Sequence, residues 1–310
     1  MKIIITGACG HIGSYLVDNL FKIKKIKHAI LLDNFETQRF NSLFNIKNNK
    51  KISFFPIDLT KKNSLKKFNN IDLIIHCASL TNAAASFSTK KVMYKNNLEV
   101  MKNVISFCVK KKTKLIHIST TSVYGREANI IHENDTHLIK PQSPYADIKL
   151  LEEKMLNNVN KKIKYNSFRF GTITGISKGM RFHTAVNKFC FDAALNQKIT
   201  IYKTALNQYR PYLSLRDAFK VFKFCIDNNF YKNETYNALS GNFSVKEIVK
   251  TIKKFKKDAK ITFINSPIMN KLNFKISKKK LETEGLFLNS NIDIDIKNSL
   301  NLFKSIKNEV

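Results

Sequence analysis

The sequence predicts an α/β fold, a doubly wound parallel sheet with a smaller C-terminal α/β region, and three observations carry that expectation. Short β-branched runs free of charge, beginning with Ile3-Ile4-Ile5, have the profile of strands buried on both faces. Helical periodicity follows the first of them, with apolar positions at Ile12, Tyr15, Leu16 and Leu20. The joint between the two is rich in glycine, with Gly7, Gly10 and Gly13 at spacings of three. A chain of 310 residues, 43% of them apolar, has material for one large α/β domain or for that plus a smaller unit.

The opening stretch, MKIIITGACGHIGSYL, makes a phosphate cradle. Glycines let the backbone approach a pyrophosphate, and the helix that His11 and Ile12 open offers unpaired amides and a partial positive charge. The same turn also serves simply to pack a strand against a helix. That helix is expected over 11–21. A second strand, His28 to Asp33, places Asp33 about twenty residues after the last glycine, with Asn34 beside it. A carboxylate there accepts hydrogen bonds from the adenosine ribose hydroxyls and repels a 2′-phosphate, which favours NAD over NADP. An aspartate capping the loop is the alternative.

A third strand, Ile52 to Ile57, ends at Asp58-Leu59, and a fourth, Ile71 to His76, ends at Cys77-Ala78-Ser79. Each is expected to be followed by a helical segment, as βαβ units require. A long amphipathic helix spans about Thr89 to Lys111, and Lys114 to Ser119 is the fifth strand. Alternation through five strands makes the sheet Rossmann-type.

Composition narrows the class. The net charge of +31 suggests a phosphate-backbone partner, but 48 lysines against 6 arginines are spread over every helix and loop without a dominant cluster, so no nucleic-acid partner is expected. In so lysine-rich a chain, Arg169, Arg181, Arg210 and Arg216 suggest places where bidentate geometry is required. The five cysteines are scattered and apolar-flanked, as reduced thiols in a cytoplasmic protein are. No metal site, leader or membrane span is expected.

The chemistry follows the fifth strand, which runs into Ser119-Thr120-Thr121-Ser122-Val123-Tyr124-Gly125. After a loop comes PQSPYADIK over 141–149, with Ser143 or Pro144 near a helix N-cap. Tyr145 and Lys149, four apart, share one helix face. An ammonium beside a phenol stabilises the phenolate, which makes Tyr145 a usable acid/base near a nicotinamide. An ordinary surface Tyr–Lys pair has the same spacing.

On these residues the chain resembles the extended short-chain dehydrogenase/reductases, the NAD-dependent epimerase/dehydratase group acting on nucleotide sugars. The matching pieces are TGACGHIG (6–13), Asp33, Asp58-Leu59, HCAS (76–79), Asn97, STTSVYG (119–125), PQSPYADIK (141–149) and RPYLSLRDA (210–218), over about two thirds of the chain. The resemblance implies that Gly7, Gly10, His11, Ile12, Gly13, Asp33 and Asn34 hold the NAD, with Asp58 and Leu59 at the adenine. It puts Ala78 and Ser79 on the nicotinamide side, with Asn97 supporting that pocket. Thr120 would hydrogen-bond the sugar hydroxyl, Tyr145 would take its proton, and Lys149 would bind the nicotinamide ribose while tuning the tyrosine. Ser122, Thr172, Arg181, Asn187 and Arg210 would contact the nucleotide sugar.

The residues after Thr120 discriminate among reactions. The 4,6-dehydratases of this group carry an Asp-Glu pair there, the decarboxylases a Glu at the position of Ser122, and the GDP-fucose synthase type a Cys. Thr121 and Ser122 supply none of these, which leaves reversible oxidation at one carbon, a 4-epimerase or a 4-dehydrogenase releasing the ketone. An NAD-binding regulatory protein without turnover is the reading from another class. The strand expected over Phe168 to Gly175 departs from the usual Phe-Asn with Gly171-Thr172, so a less common sugar is expected, with His183 capping or packing. A helix through Cys225, a strand near Tyr236, and helices at 244–256 (capped by Ser244 and Glu247) and 294–306 complete the chain. Residues 1–168 are expected to bind NAD and 169–310 mainly the nucleotide sugar, with about 200–240 returning to the first domain. The resemblance also implies a homodimer through the helices at 89–111 and 143–158.

Overall fold

The computed structural model of the protein describes residues 1–46, 49–82, 86–125, 128–265 and 273–304. The N-terminal part runs β1 (Lys2–Thr6), α1 (His11–Asn19), β2 (His28–Asp33), β3 (Ile52–Pro56), β4 (Leu73–His76), α2 (Lys90–Lys111), β5 (Lys114–Thr120), β6 (Ala128–Ile131), α3 (Pro144–Asn157) and β7 (Tyr165–Phe170). The remainder runs β8 (Thr172–Thr174), α4 (Ala185–Ala194), β9 (Ile199–Tyr202), β10 (Tyr209–Ser214), α5 (Leu215–Asp227), β11 (Glu234–Ala238) and β12 (Gly241–Ser244). It ends with α6 (Val245–Phe255), β13 (Ile261–Ile264), β14 (Phe274–Ile276), α7 (Lys279–Thr283) and α8 (Ile292–Asn301).

Seven strands form one parallel sheet in the order β11-β7-β5-β4-β1-β2-β3. The chain lays β2 and β3 on one side of β1 and then crosses to β4 on the other, so a crevice opens beyond the carboxyl ends of β1 and β4. Alternate side chains of β1 explain its unbroken apolar run. Ile3 and Ile5 join the core under α1 and α5, while Ile4 joins the opposite core with Val100, Met101 and Val104 of α2.

Two sequence expectations need correction. The connections after β2 and β3 contain no α-helix among the described residues. The first has only short 3₁₀ turns at Phe40–Leu43 and Asn49–Lys51, and the second has turns alone. Left-handed residues recur there, Phe35, Gln38 and Asn45 in one connection and Asn63 and Asn70 in the other, and each stops a right-handed helix. The strand expected over Phe168 to Gly175 is two strands. β7 ends in the main sheet, and β8 turns into a three-stranded sheet with β10 and β12. Gly171 makes the break, because a Cβ there would stand 2.9 Å from the Pro211 carbonyl oxygen.

The capping box of α6 forms as expected, with Ser244 Oγ accepting from the Glu247 amide and the Glu247 carboxylate accepting from the Ser244 amide. Residues 305 and 306 of the helix expected over 294–306 lie outside the described residues. Among the described residues, no helix is long and apolar enough to cross a membrane, and no cluster of side chains suits a metal ion.

Candidate active site

Two adjoining hollows, each of about 500 Å³, lie along the crevice and share Gly7, Gly10, Arg39, Cys77, Ser79 and His183 in their walls. The glycine turn lies between them. Gly7 has φ +63°, and a Cβ on it would stand 2.6 Å from the Ala78 amide nitrogen. A Cβ on Gly13 would stand 2.2 Å from the Gly7 carbonyl oxygen. The turn is therefore compact enough to bring α1 against the ends of β1 and β4, and its N-cap, Gly10, leaves the first-turn amides without a side-chain acceptor.

The hollow toward β2 and β3 collects Asp33, Asn34, Asp58, Leu59, Ala78 and Ser79. Asp33 has a structural duty as well as a place in this wall. Its carboxylate accepts from the Cys9 amide at 2.9 Å and from the Phe35 amide at 2.9 Å, which ties the glycine turn to the end of β2. Asp58 likewise caps its own loop through the Thr60 amide and hydroxyl.

The hollow toward β5 and β7 brings together His11, Ile12, Gly13, Thr120, Ser122, Tyr145, Lys149, Thr172, Arg181 and Arg210 from stretches far apart in the chain. Ser143 caps α3 by accepting from the Ala146 amide, Pro144 opens the helix, and Tyr145 and Lys149 face the hollow from it. Thr120 Oγ1 accepts from the Ser122 amide at 3.1 Å, which leaves its O–H to donate. Its charged side chains are all cationic: Arg39, Lys149, Arg181 and Arg210 line this hollow, and no Asp or Glu among the described residues does. Arg181 is half-buried, donates to Thr81, and has a buried Nε without a partner. Arg210 donates to the Tyr209 carbonyl and to Gln208.

The other titratable side chains here are held neutral. Burial pushes the Cys77 thiol up to about 12. Burial also pushes His11 down to about 3 and His76 to about 3, and burial, helped by Arg181 and Arg39, takes His183 to about 4. His11 Nε2 contacts the Gly175 carbonyl oxygen at 2.8 Å and so carries the proton, joining the glycine turn to the loop after β8.

A stability prediction arises from these rings. His11, His76 and His117 are neutral in the fold, yet each takes a proton in the unfolded chain below about pH 6.5. The unfolded state then binds more protons, so stability is full above about pH 6.5 and falls as the pH drops. Urea midpoints measured between pH 7.5 and 5, above the range where carboxylates titrate, are expected to decline steadily. A midpoint that held level to pH 5 would show that the folded rings accept protons freely.

Two residues taken from the sequence as ligands stand behind the walls. Asn97 has both amide atoms on the Leu80 backbone, at 2.9 and 3.0 Å, so it shapes the loop after β4 from outside the hollow. Asn187 is fully buried in α4, and its amide nitrogen donates to the Arg181 carbonyl at 3.0 Å, so it positions the Arg181 loop. His183, expected to cap or pack, lines both hollows instead. Sequence reasoning missed Arg39, which lies in both walls with a terminal nitrogen 3.9 Å from where a Gly10 Cβ would be. Its signal was the scarcity of arginine, which had singled out only the C-terminal ones. Of those, Arg169 and Arg216 serve the scaffold, Arg169 forking onto both oxygens of Glu153 and Arg216 pairing with Asp295.

The family model described as NAD dependent epimerase/dehydratase family matches residues 3–238. An ADP-L-glycero-D-manno-heptose-6-epimerase of Brachyspira hyodysenteriae is 29% identical over 274 residues, 86% of this chain and 84% of that protein. A putative UDP-glucose 4-epimerase of Methanocaldococcus jannaschii is 27% identical, with 81% of each chain covered. Among solved structures, a UDP-N-acetylglucosamine 4-epimerase from Methanobrevibacter ruminantium M1 in complex with UDP-N-acetylmuramic acid superposes with a TM-score of 0.87. It covers 98% of both chains at 19% identity, a likeness of fold.

Proposed function

The chain belongs to the NAD-dependent epimerase/dehydratase family and is an enzyme with NAD as its cofactor, and from that premise we propose that it epimerises a nucleotide sugar at C4 through a transient 4-keto sugar. The observation that carries this reading is the make-up of the hollow around Tyr145. Thr120, Tyr145 and Lys149 line it together, and no carboxylate among the described residues joins them. Elimination of water or inversion at a neighbouring carbon needs a second acid/base, and the remaining candidates, a thiol pushed to about 12 and imidazoles pushed to about 3 and 4, are poor ones. A single proton-transfer set suits oxidation and reduction of one secondary alcohol.

The residues present fit the dinucleotide. The cradle at Gly7 and Gly13 has no room for side chains, and Asp33 stands at the end of β2 where a ribose carboxylate is required. NAD, when bound, supplies the hydride acceptor and donor. In this reading the Thr120 hydroxyl donates to the sugar oxygen that reacts, and Tyr145 removes and returns that oxygen's proton. Lys149 sets an ammonium beside the tyrosine oxygen and hydrogen-bonds the nicotinamide ribose. Arg39, Arg181 and Arg210 meet the diphosphates of the two nucleotides, whose charge complements these guanidiniums. Residues 1–168 bind the cofactor, and residues 169–310 bind mainly the sugar nucleotide. A homodimer through α2 and α3 and a place in the cytoplasm complete the proposal.

The test is a turnover screen of UDP-, GDP-, CDP- and ADP-sugars with NAD, reading both sugar configuration and net cofactor reduction. Interconversion of C4 epimers without net reduction is the expected result. Stoichiometric reduction with release of a ketone would make the enzyme a 4-dehydrogenase, and inversion at C6 with C4 untouched would overturn the position proposed.

A further inference from the structure

Behind the hollow, Lys149 leads into a line of buried polar groups to which the reaction above gives no task. Lys149 Nζ donates to Glu152 Oε2 at 2.7 Å, and the same oxygen is 2.8 Å from His117 Nε2. On the far side, His117 Nδ1 is 2.8 Å from Ser167 Oγ. Lys149, Glu152 and His117 are 3%, 1% and 0% exposed. An ionised carboxylate only accepts, so the His117 proton sits on Nε2 and Nδ1 accepts from the serine hydroxyl. Tyr145, Lys149 and Glu152 are spaced four and three residues apart, which puts them on one stripe of α3.

A lysine buried without a counter-charge gives up its proton, because desolvation penalises the ammonium. The groups facing this pair come from three elements and a loop: Tyr145 on α3 itself, His76 on β4, Cys77 just beyond it, and His117 on β5, with Glu153 of α3 a little farther off. Cys77 is a thiol, the two histidines are neutral, and Glu153 is engaged by Arg169. Among these groups, Glu152 is the carboxylate set directly against Lys149.

We propose that Glu152 is a positioning residue of the reaction, the buried counter-charge that keeps Lys149 an ammonium at Tyr145, with His117 and Ser167 holding the carboxylate in place. The proposal rests on the reading of Tyr145 as the proton acceptor. Burial opposes both charges, yet Glu152, together with Tyr145 and Cys77, offsets it at Lys149 and holds the lysine above its ordinary range. Lys149 and His117 in turn hold Glu152 down at about 2. With Glu152 charged, Lys149 keeps its proton and presents an ammonium to the tyrosine oxygen. With Glu152 neutral, that ammonium loses its counter-charge and desolvation favours the amine.

The experiment titrates tyrosinate absorbance in the NAD-bound full-length protein without sugar, taking the difference from Tyr145→Phe in each background so that one phenol is read. In Glu152→Gln the Tyr145 midpoint is expected to rise by about one pH unit or more, and Glu152→Asp is expected to restore most of the shift. An unmoved midpoint with a lower melting temperature would make Glu152 a scaffold residue only, and a lowered midpoint would mean that it merely screens Lys149; either result overturns the proposal. Should Glu152→Gln fail to fold, Glu152→Leu combined with His117→Phe replaces both buried groups by apolar ones and carries the same expectation. Because the titration needs no substrate, it decides the role of Glu152 even if every sugar in the turnover screen is refused.

Discussion

Tyr145→Phe is expected to lower turnover by about 10²- to 10⁴-fold, the range of a single general acid/base, while leaving cofactor affinity within a few fold. The substitution removes one oxygen at the wall of the hollow and leaves the local scaffold alone. Ser143 still caps α3 through the Ala146 amide, and Pro144 still occupies its first turn. Lys149 keeps its hydrogen bond to Glu152, so the ammonium stays where it was. Loss of turnover with an unchanged thermal midpoint would place the phenol in the chemistry. Full activity in this variant would sink the mechanism, because the other titratable groups of the hollow have acid/base ranges far from neutrality.

Gly13→Ala is expected to damage both the fold and the binding of the cofactor. Its Cβ would stand 2.2 Å from the Gly7 carbonyl oxygen and 2.8 Å from the Ala8 Cα, both backbone atoms with no rotamer to escape into. The turn would have to open, at a cost of about 1–3 kcal/mol by the measure of overpacked cores. Opening it also misdirects the first amides of α1. Each charge-assisted hydrogen bond lost from a pyrophosphate costs about 1.5–3 kcal/mol, so NAD affinity should fall more than about tenfold. Calorimetric titration of NAD and a melting curve in its absence measure the two effects separately. An alanine variant that melts normally and binds NAD normally would show that this turn is not the cradle. Gly10→Ala is the milder comparison, since its Cβ would meet the Gly7 oxygen at 3.2 Å.

Much of this was legible because the encoding is local. A β-branched run, three glycines and an apolar helix stripe specify a strand, a turn and a helix from neighbouring residues alone, and Tyr145 and Lys149 meet because four residues on a helix make one turn and a little more. The aspartate after β2 was legible for the same reason. Asn97, expected to support its pocket, does so through the Leu80 backbone, whereas Asn187 was taken for a ligand because a motif records only which residue type occurs, and its amide was taken up by Arg181 once the loops packed. The connections after β2 and β3 were misjudged because the expected alternation overrode asparagines suited to left-handed turns.

The sequence by itself determined the class of fold, the family and the cofactor, each carried by residues close together in the chain, and it brought Thr120, Tyr145 and Lys149 forward as the candidate trio. The tertiary structure alone decided what surrounds that trio. His117 faces Ser167 because β5 and β7 pair in that register, and Glu152 reaches His117 across 35 residues because α3 packs on β5. Arg39, Arg181 and Arg210 face one crevice because the chain changes direction between β1 and β4, which opens the sheet there and turns two loops and the start of β10 toward the gap. Contacts of that kind depend on strand order and register, to which no stretch of neighbouring residues is sensitive.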